Sequence, residues 1–338
     1  MDPSVGAVPG GNIEFVLCTR GMRMSTSLNG FEVLEDRVLL AGNVTVAVNA
    51  AGDLVITGDN ASNQIVIADF DGDGFADVMG LNGTAINGVV NGTEFTGALP
   101  VTTPFVVINL QGGNDELTID DSNDGATIFG AGVGGSDFRV DMGAGNDRIV
   151  AIDDGTGVGI NLNSGVINLG AGNDVLDDNT VGADIDVLDL TINAGAGNDV
   201  VRLDTGALRV DNLAINMGAG SDVVVLDGLF GSTGANVETL SLTFGAGADN
   251  LSINNVQADR TGITLGAGRD SVLITNSIFD LGFRLRGNGG RDEVGVGGNQ
   301  FNGSVEFRGG GGRDTLFDLG GNTGVSRNNI RSFRIVTV

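Results

Sequence analysis

The chain contains no histidine, tyrosine, tryptophan or lysine, and Cys18 is its one cysteine. Each absence removes a class of chemistry. Imidazole and paired thiolate ligands are missing, so the ligand supply for a soft-metal site is insufficient. No intramolecular disulfide can form, and stability must come from packing or from a hard cation. A general base on this chain has to be Asp, Glu or Arg, and the usual tyrosine and tryptophan sugar platforms are missing. No apolar run approaches the ~18 residues that span a bilayer. The apolar segment Ile13–Cys18 is too short and too acidic for a standard signal peptide.

Positive charge is scarce as well. All 17 basic residues are arginine, against 43 acidic ones, and the net charge is −26. That balance argues against nucleic acid and against anionic lipid, both of which are bound through clustered Lys and Arg. It favours cations, because self-repulsion on this scale opposes a compact state. Glycine is abundant, at 59 residues, without a collagen-like period of three. The hydrophobic fraction of 41% disfavours simple disorder. It is mostly Val, Leu and Ile, which suit pleated strands.

A short phrase organises the sequence: Gly-x-Gly-x-Asp followed by alternating apolar residues. Examples are GAGNDRIVAID at 143–153, GAGNDVVRLD at 195–204 and GAGRDSVLIT at 266–275. Its aspartates are Asp115, Asp147, Asp174, Asp199, Asp222, Asp249, Asp270, Asp292 and Asp314. Before most phrases stands a second alternating segment, such as GVINL (165–169), NLAINM (212–217) or SVEFR (304–308). Period-two alternation reads as a strand with one buried face. Each repeat is therefore strand, glycine turn, strand and variable loop. Two short strands cannot enclose a core alone, but stacked repeats bury one continuous column. The links are too short for helical crossovers. The expected fold is all-β, a parallel β-helix, with the right-handed form favoured and about 21–27 residues per coil.

One aspartate per coil at one phase makes a carboxylate ladder. At the roughly 4.8 Å strand spacing, neighbouring charges repel by roughly 3 kcal/mol at an effective dielectric of about 20. Protonation relieves this, and so does a hard cation on an exposed ladder; calcium suits oxygen-only ligands better than magnesium. The phrase resembles the repeat-in-toxin calcium-binding nonapeptides, in which aspartates and turn carbonyls of neighbouring coils hold Ca²⁺. The resemblance covers about 111–318. It departs from the family pattern in having one phrase per coil instead of unbroken nines, and Gly-Ala instead of Gly-Gly. It implies metal ligands at Asp115, Asp147, Asp174, Asp199 and Asp222. The alternative is that these aspartates cap their own turns without any ion. A second acidic rung follows at Asp120, Asp153, Asp177, Asp204 and Asp227. Arg269, Arg291 and Arg313 directly precede phrase aspartates, so arginine either neutralises the ladder there or forms a solvated face.

The N-terminal part carries a different motif, DFDGDGFAD at 69–77. Asp69, Asp71, Asp73, the carbonyl of Phe75 and Asp77 follow the spacing of an EF-hand loop, without its final Glu or flanking helices. The motif looks like the calcium loop of FG-GAP or dockerin repeats; otherwise it is an acidic turn. Residues 31–40, FEVLEDRVLL, resemble the LEPR-XLL motif near the start of large surface proteins of planctomycete bacteria. Leu34, Glu35, Arg37, Leu39 and Leu40 match it, and Asp36 replaces its proline. That resemblance implies export. Residues 1–40 read as a leader or cap, 41–110 as degenerate coils and 111–338 as regular repeats. The expected function is a non-enzymatic, extracellular or cell-surface structural or adhesive solenoid stabilised by calcium. Its partners would be other surface proteins, polysaccharide or further copies end to end. The alternatives are a polysaccharide lyase or hydrolase on a β-helix, and a self-associating filament or surface-layer subunit.

Overall fold

The computed structural model describes residues 42–68, 70, 77–90, 105–120, 136–152, 160–178, 185–203, 208–229, 231 and 236–338. The export-like segment 31–40 and Asp69, Asp71, Asp73 and Phe75 of the acidic loop lie outside them. The chain is a parallel β-solenoid. Two long sheets, of 19 and 12 strands, face each other across one column of apolar side chains. Among the described residues the only helical turn is Arg327–Asn329, and no helix is long and apolar enough to cross a membrane.

The phrase divides each coil between the sheets. In the central coils the upstream segment and the first two phrase residues form one strand of the larger sheet: Ile160–Ala171, Ile185–Ala196 and Leu208–Ala219. These strands pair in parallel and in register, Ala171 with Ala196 and Ala196 with Ala219. The residues after each aspartate form the smaller sheet, as Val175–Asp178, Val200–Leu203 and Val223–Asp227. In Val223–Asp227 the inward residues Val224 and Leu226 are fully buried while their neighbours are partly open. Burial of such a side chain stabilises by about 1.5–3 kcal/mol, and the column repeats it at every coil. Toward the C-terminus Phe279, Phe283, Phe301 and Phe307 fill the column, with ring centroids 4.7–6.0 Å apart.

Glycine is required where coils come closest. Gly172 has φ +147°, and a methyl group on it would overlap the carbonyl oxygen of Gly145 in the preceding coil. The middle residue of the phrase is free of this constraint. Ala171, Ala196 and Ala219 occupy it with their side chains exposed.

The regular stacking reaches beyond the repeats legible in the sequence. Leu54–Thr57 pairs in parallel with Phe105–Asn109, and Gln64–Ile67 with Glu116–Ile119. Coil register therefore starts at Leu54 and crosses the 110/111 boundary. Only the first strands depart from it. Gly42–Val48 lies antiparallel on Leu54–Thr57, and Asp77–Gly80 lies antiparallel on Gln64–Ala68. At the other end Phe333–Thr337 pairs in parallel with Asp314–Asp318, with Arg334 exposed.

Candidate functional site: a buried aspartate ladder

The phrase aspartates stack, but they are not exposed. All nine are between 0 and 3% accessible. The expectation of an exposed carboxylate ladder is corrected here. The turn delivers each aspartate to the inner corner between the sheets, where the glycines let the backbone pass closely enough for the side chain to point inward.

Each carboxyl divides its oxygens between two tasks. One oxygen crosses to the neighbouring coil. The backbone N–H of Asp115 donates to Oδ1 of Asp147, that of Asp147 to Asp174, and that of Asp174 to Asp199, at 2.8–2.9 Å. The series runs on through Asp222, Asp249, Asp270, Asp292 and Asp314 at 2.9–3.2 Å. The aspartates thus cap the preceding coil and not their own turns. The other oxygen, Oδ2, is buried without a hydrogen-bond partner in all nine residues. At Asp292 and Asp314 it lies over Gly287 and Gly309, where a methyl group would overlap it.

The eight carboxyls from Asp115 to Asp292 are under pressure to hold protons. Burial pushes Asp115 and Asp292 up to about 7, and Asp174, Asp222 and Asp249 up to about 6. It raises Asp147, Asp199 and Asp270 too. The N–H donated to Oδ1 opposes this by favouring the anion, and for Asp115, Asp174, Asp222, Asp249 and Asp292 like charge on the next rung reinforces the rise. An unpartnered carboxylate oxygen in an apolar column is costly, and a neutral carboxyl far less so.

From Asn114 to Ser221, the residue before the phrase aspartate builds a second ladder with the opposite sense. Asn146 donates its backbone N–H to Oδ1 of Asn114, Asn173 to Asn146, and Asn198 to Asn173, at 2.7–2.8 Å. Ser62 Oγ starts this exposed series, and Ser221 Oγ ends it at Ala248. The Asn or Ser that precedes Asp147, Asp174, Asp199 and Asp222 is a rung of this series.

Sequence reading missed the first rung of the inner ladder. Asn63 stands where aspartate stands elsewhere, fully buried, and its backbone N–H donates to Oδ1 of Asp115 at 2.7 Å. Its amide nitrogen donates to the carbonyl of Ala61 at 2.8 Å. The segment Asp59–Asn63 is a phrase without its glycines, and only the polar residues at its end betray it. A similar corner near the C-terminus uses neutral groups. Ser277 donates its N–H to Oδ1 of Asn299, and Asn299 donates its own to Asn322.

The ladder does not offer a calcium ion a convergent set of oxygens in this arrangement. In each of Asp115, Asp147, Asp174, Asp199 and Asp222, one oxygen is committed to an N–H and the other is enclosed. Among the described residues no group of three or more acidic, His or Cys side chains gathers as a metal site. Of the acidic loop, Asp77 is described. It is buried at the base of the antiparallel pair, and its Oδ2 accepts the N–H of Phe70 at 3.2 Å. On the second rung, Asp177 pairs with Arg148 at 3.5 Å, and Oδ1 of Asp227 accepts from Asn254 at 2.9 Å. Asp120 also has a partner, and Asp153 and Asp204 lie outside the described residues. Nor does arginine neutralise the buried ladder. Arg269 and Arg291 are exposed and reach Glu293, at 2.8 and 3.9 Å, and not the phrase aspartates. Comparison with protein-family models, curated proteins and solved structures finds no match to this chain.

Proposed function

We propose that this chain is a non-enzymatic structural solenoid of an extracellular or cell-surface protein, a spacer that also adheres to other surface components. The observation that carries this reading is how the repeated aspartates are used. Nine of them are spent on joining one coil to the next, each with an oxygen on a neighbouring backbone N–H. A general acid or base must reach its substrate, and these carboxyls are enclosed. A lattice of coil-to-coil bonds suits a scaffold that keeps its shape along its length. The export-like segment 31–40 supports the cell-surface location. Calcium enters this proposal through the Asp69–Asp77 loop, on its sequence spacing alone. The experiment is incubation of the purified chain with neutral, uronate and sulfated polysaccharides. Unchanged chain length of every polymer is the expected result. Unsaturated or shortened products would replace the scaffold reading with a lyase or hydrolase.

A further inference from the structure

Charge is distributed very unevenly along the solenoid. Ten of the 17 arginines but seven of the 43 acidic residues lie from Arg260 onward, so that end carries +3 and the remainder −29. On the larger sheet in this region the outward residues leave a cleft of about 640 Å³. It crosses five successive coils, from Thr239–Ser241 to Asn328–Arg331, a length of about 19 Å at the strand spacing. Two features open it. Gly262 and Gly282 put no side chain into the floor, and Arg260, Arg284 and Arg331 project from its walls against a single acid, Glu306.

Arg284 is already held by Glu306 at 2.8 Å. Arg260 and Arg331 are exposed and have no ion-pair or side-chain hydrogen-bond partner among the described residues. Arg331 continues a register column, Arg286, Arg308, Arg331, in which Arg286 Nε is buried without an acceptor. Unanswered guanidinium groups in a trough call for carboxylate or sulfate. The rest of the lining says which kind of molecule carries them. Thr239, Ser241, Ser304, Asn328 and Asn329 offer hydroxyls and amides, and Leu281 is the one large apolar side chain in the lining that is exposed. Apolar peptide anchors have little to fill, and the exposed aromatics on which nucleic-acid bases stack are missing from the lining. A linear polyol bearing anions matches the length, the hydroxyl-rich floor and the charge.

We infer that the cleft between Arg260 and Arg331 binds an acidic polysaccharide, its chain lying along the solenoid axis and its carboxylate or sulfate groups on the two arginines. This deepens the adhesive part of the scaffold reading. It rests on that reading only in that the glycan is held and not cut.

The test is affinity electrophoresis of the full chain in gels containing polygalacturonate, heparin or neutral dextran. Either polyanion should retard the chain, and dextran should not. The R260S/R331S double variant should bind at least about tenfold more weakly, the loss expected for a charge-assisted hydrogen bond. R269S, which removes an exposed arginine in the turn between the two sheets and outside the cleft lining, should bind as the parent does. Unchanged melting of both variants certifies their fold. Retardation by neither polyanion overturns the inference, and so does equal retardation of the double variant. Stronger binding of a single-stranded oligonucleotide than of either glycan also overturns it. Binding accompanied by product release leaves the cleft standing and overturns the scaffold reading instead.

Discussion

The backbone N–H of Asp147 donates to Oδ1 of Asp174, 27 residues further along the chain, at 2.8 Å. The donor's own carboxyl receives the same bond from Asp115. Each rung is therefore both donor and acceptor, and the rungs are coupled through backbone as well as charge. Oδ2 of both residues has no partner. The ladder works best when those second oxygens carry protons.

Acid should stabilise this protein. An unfolded aspartate titrates near ~3.9. Burial raises the carboxyls from Asp115 to Asp292, Asp174 to about 6 and Asp115 to about 7. The folded state thus holds protons that the unfolded chain has released. This contribution is complete below the unfolded value and is lost as pH rises through about 6–7. The melting temperature should fall from pH 5 to pH 8 at constant ionic strength. A melt that is flat or rising over that range contradicts a protonated ladder.

Asp199→Asn and Asp199→Ala separate the two oxygens. Alanine leaves the N–H of Asp174 buried without an acceptor, which should cost about 1–3 kcal/mol at any pH. Asparagine keeps the acceptor, and its amide can donate to the carbonyl two residues upstream, as Asn63 does to Ala61. Its cost should stay under about 1 kcal/mol at pH 5 and be smaller at pH 8, because burial raises the parent carboxyl and makes its ionisation costly. Urea unfolding at the two pH values measures both variants.

Two glycine substitutions should give opposite results. In Gly197→Ala the methyl overlaps the carbonyl of Gly172, at φ +145°. A loss of more than about 3 kcal/mol, or failure to fold, is expected from the strain and the overlap together. Gly289→Ala adds a methyl with nothing within 4 Å, at a position that pairs with Ala267. It should be neutral or stabilise by up to about 1 kcal/mol. Thermal melts rank the pair.

Calcium should act at the acidic loop and not on the ladder. If the loop binds the ion, calcium added to EDTA-treated protein raises the melting temperature at matched ionic strength. Asp71→Ala with Asp73→Ala should abolish that rise, and Asp199→Asn should leave it intact. A rise lost with Asp199→Asn would return the ion to the ladder.

The repeat was legible because two periodicities coincide in it. Alternation marks the strands, and Gly-x-Gly-x-Asp marks the turn between them; Gly172 and Asp174 carry both signals within three residues. What the sequence concealed is the direction of the aspartate side chain. Acidic residues in glycine-rich turns ordinarily face water, and nothing local distinguishes Asp174, which is buried, from Asp177, which is partly open. The difference lies in the coil stacked alongside, 27 residues back, whose N–H meets Oδ1. The first coil was concealed for another reason. Asn63 and Asp115 are 52 residues apart, because the antiparallel strand Asp77–Gly80 and further chain intervene. The Arg260–Arg331 cleft was equally out of reach, since it gathers residues from five coils.

The asparagine and aspartate series run in opposite senses. A coil such as Asn173–Asp174 faces backward through Asn146 and forward through Asp199 with the same two kinds of bond as its neighbours. The interfaces on its two sides are consequently interchangeable along the stack. Loops of differing length are tolerated, since coil spacing already varies from 21 to 32 residues without breaking either the N–H to Oδ1 contact or its register. Whole coils, cut at the same phase, behave as removable and duplicable links. Excising 174–198 would set Asp199 against Asp147 with both series rejoined, so the length of such a chain can change by units while its cross-section stays constant.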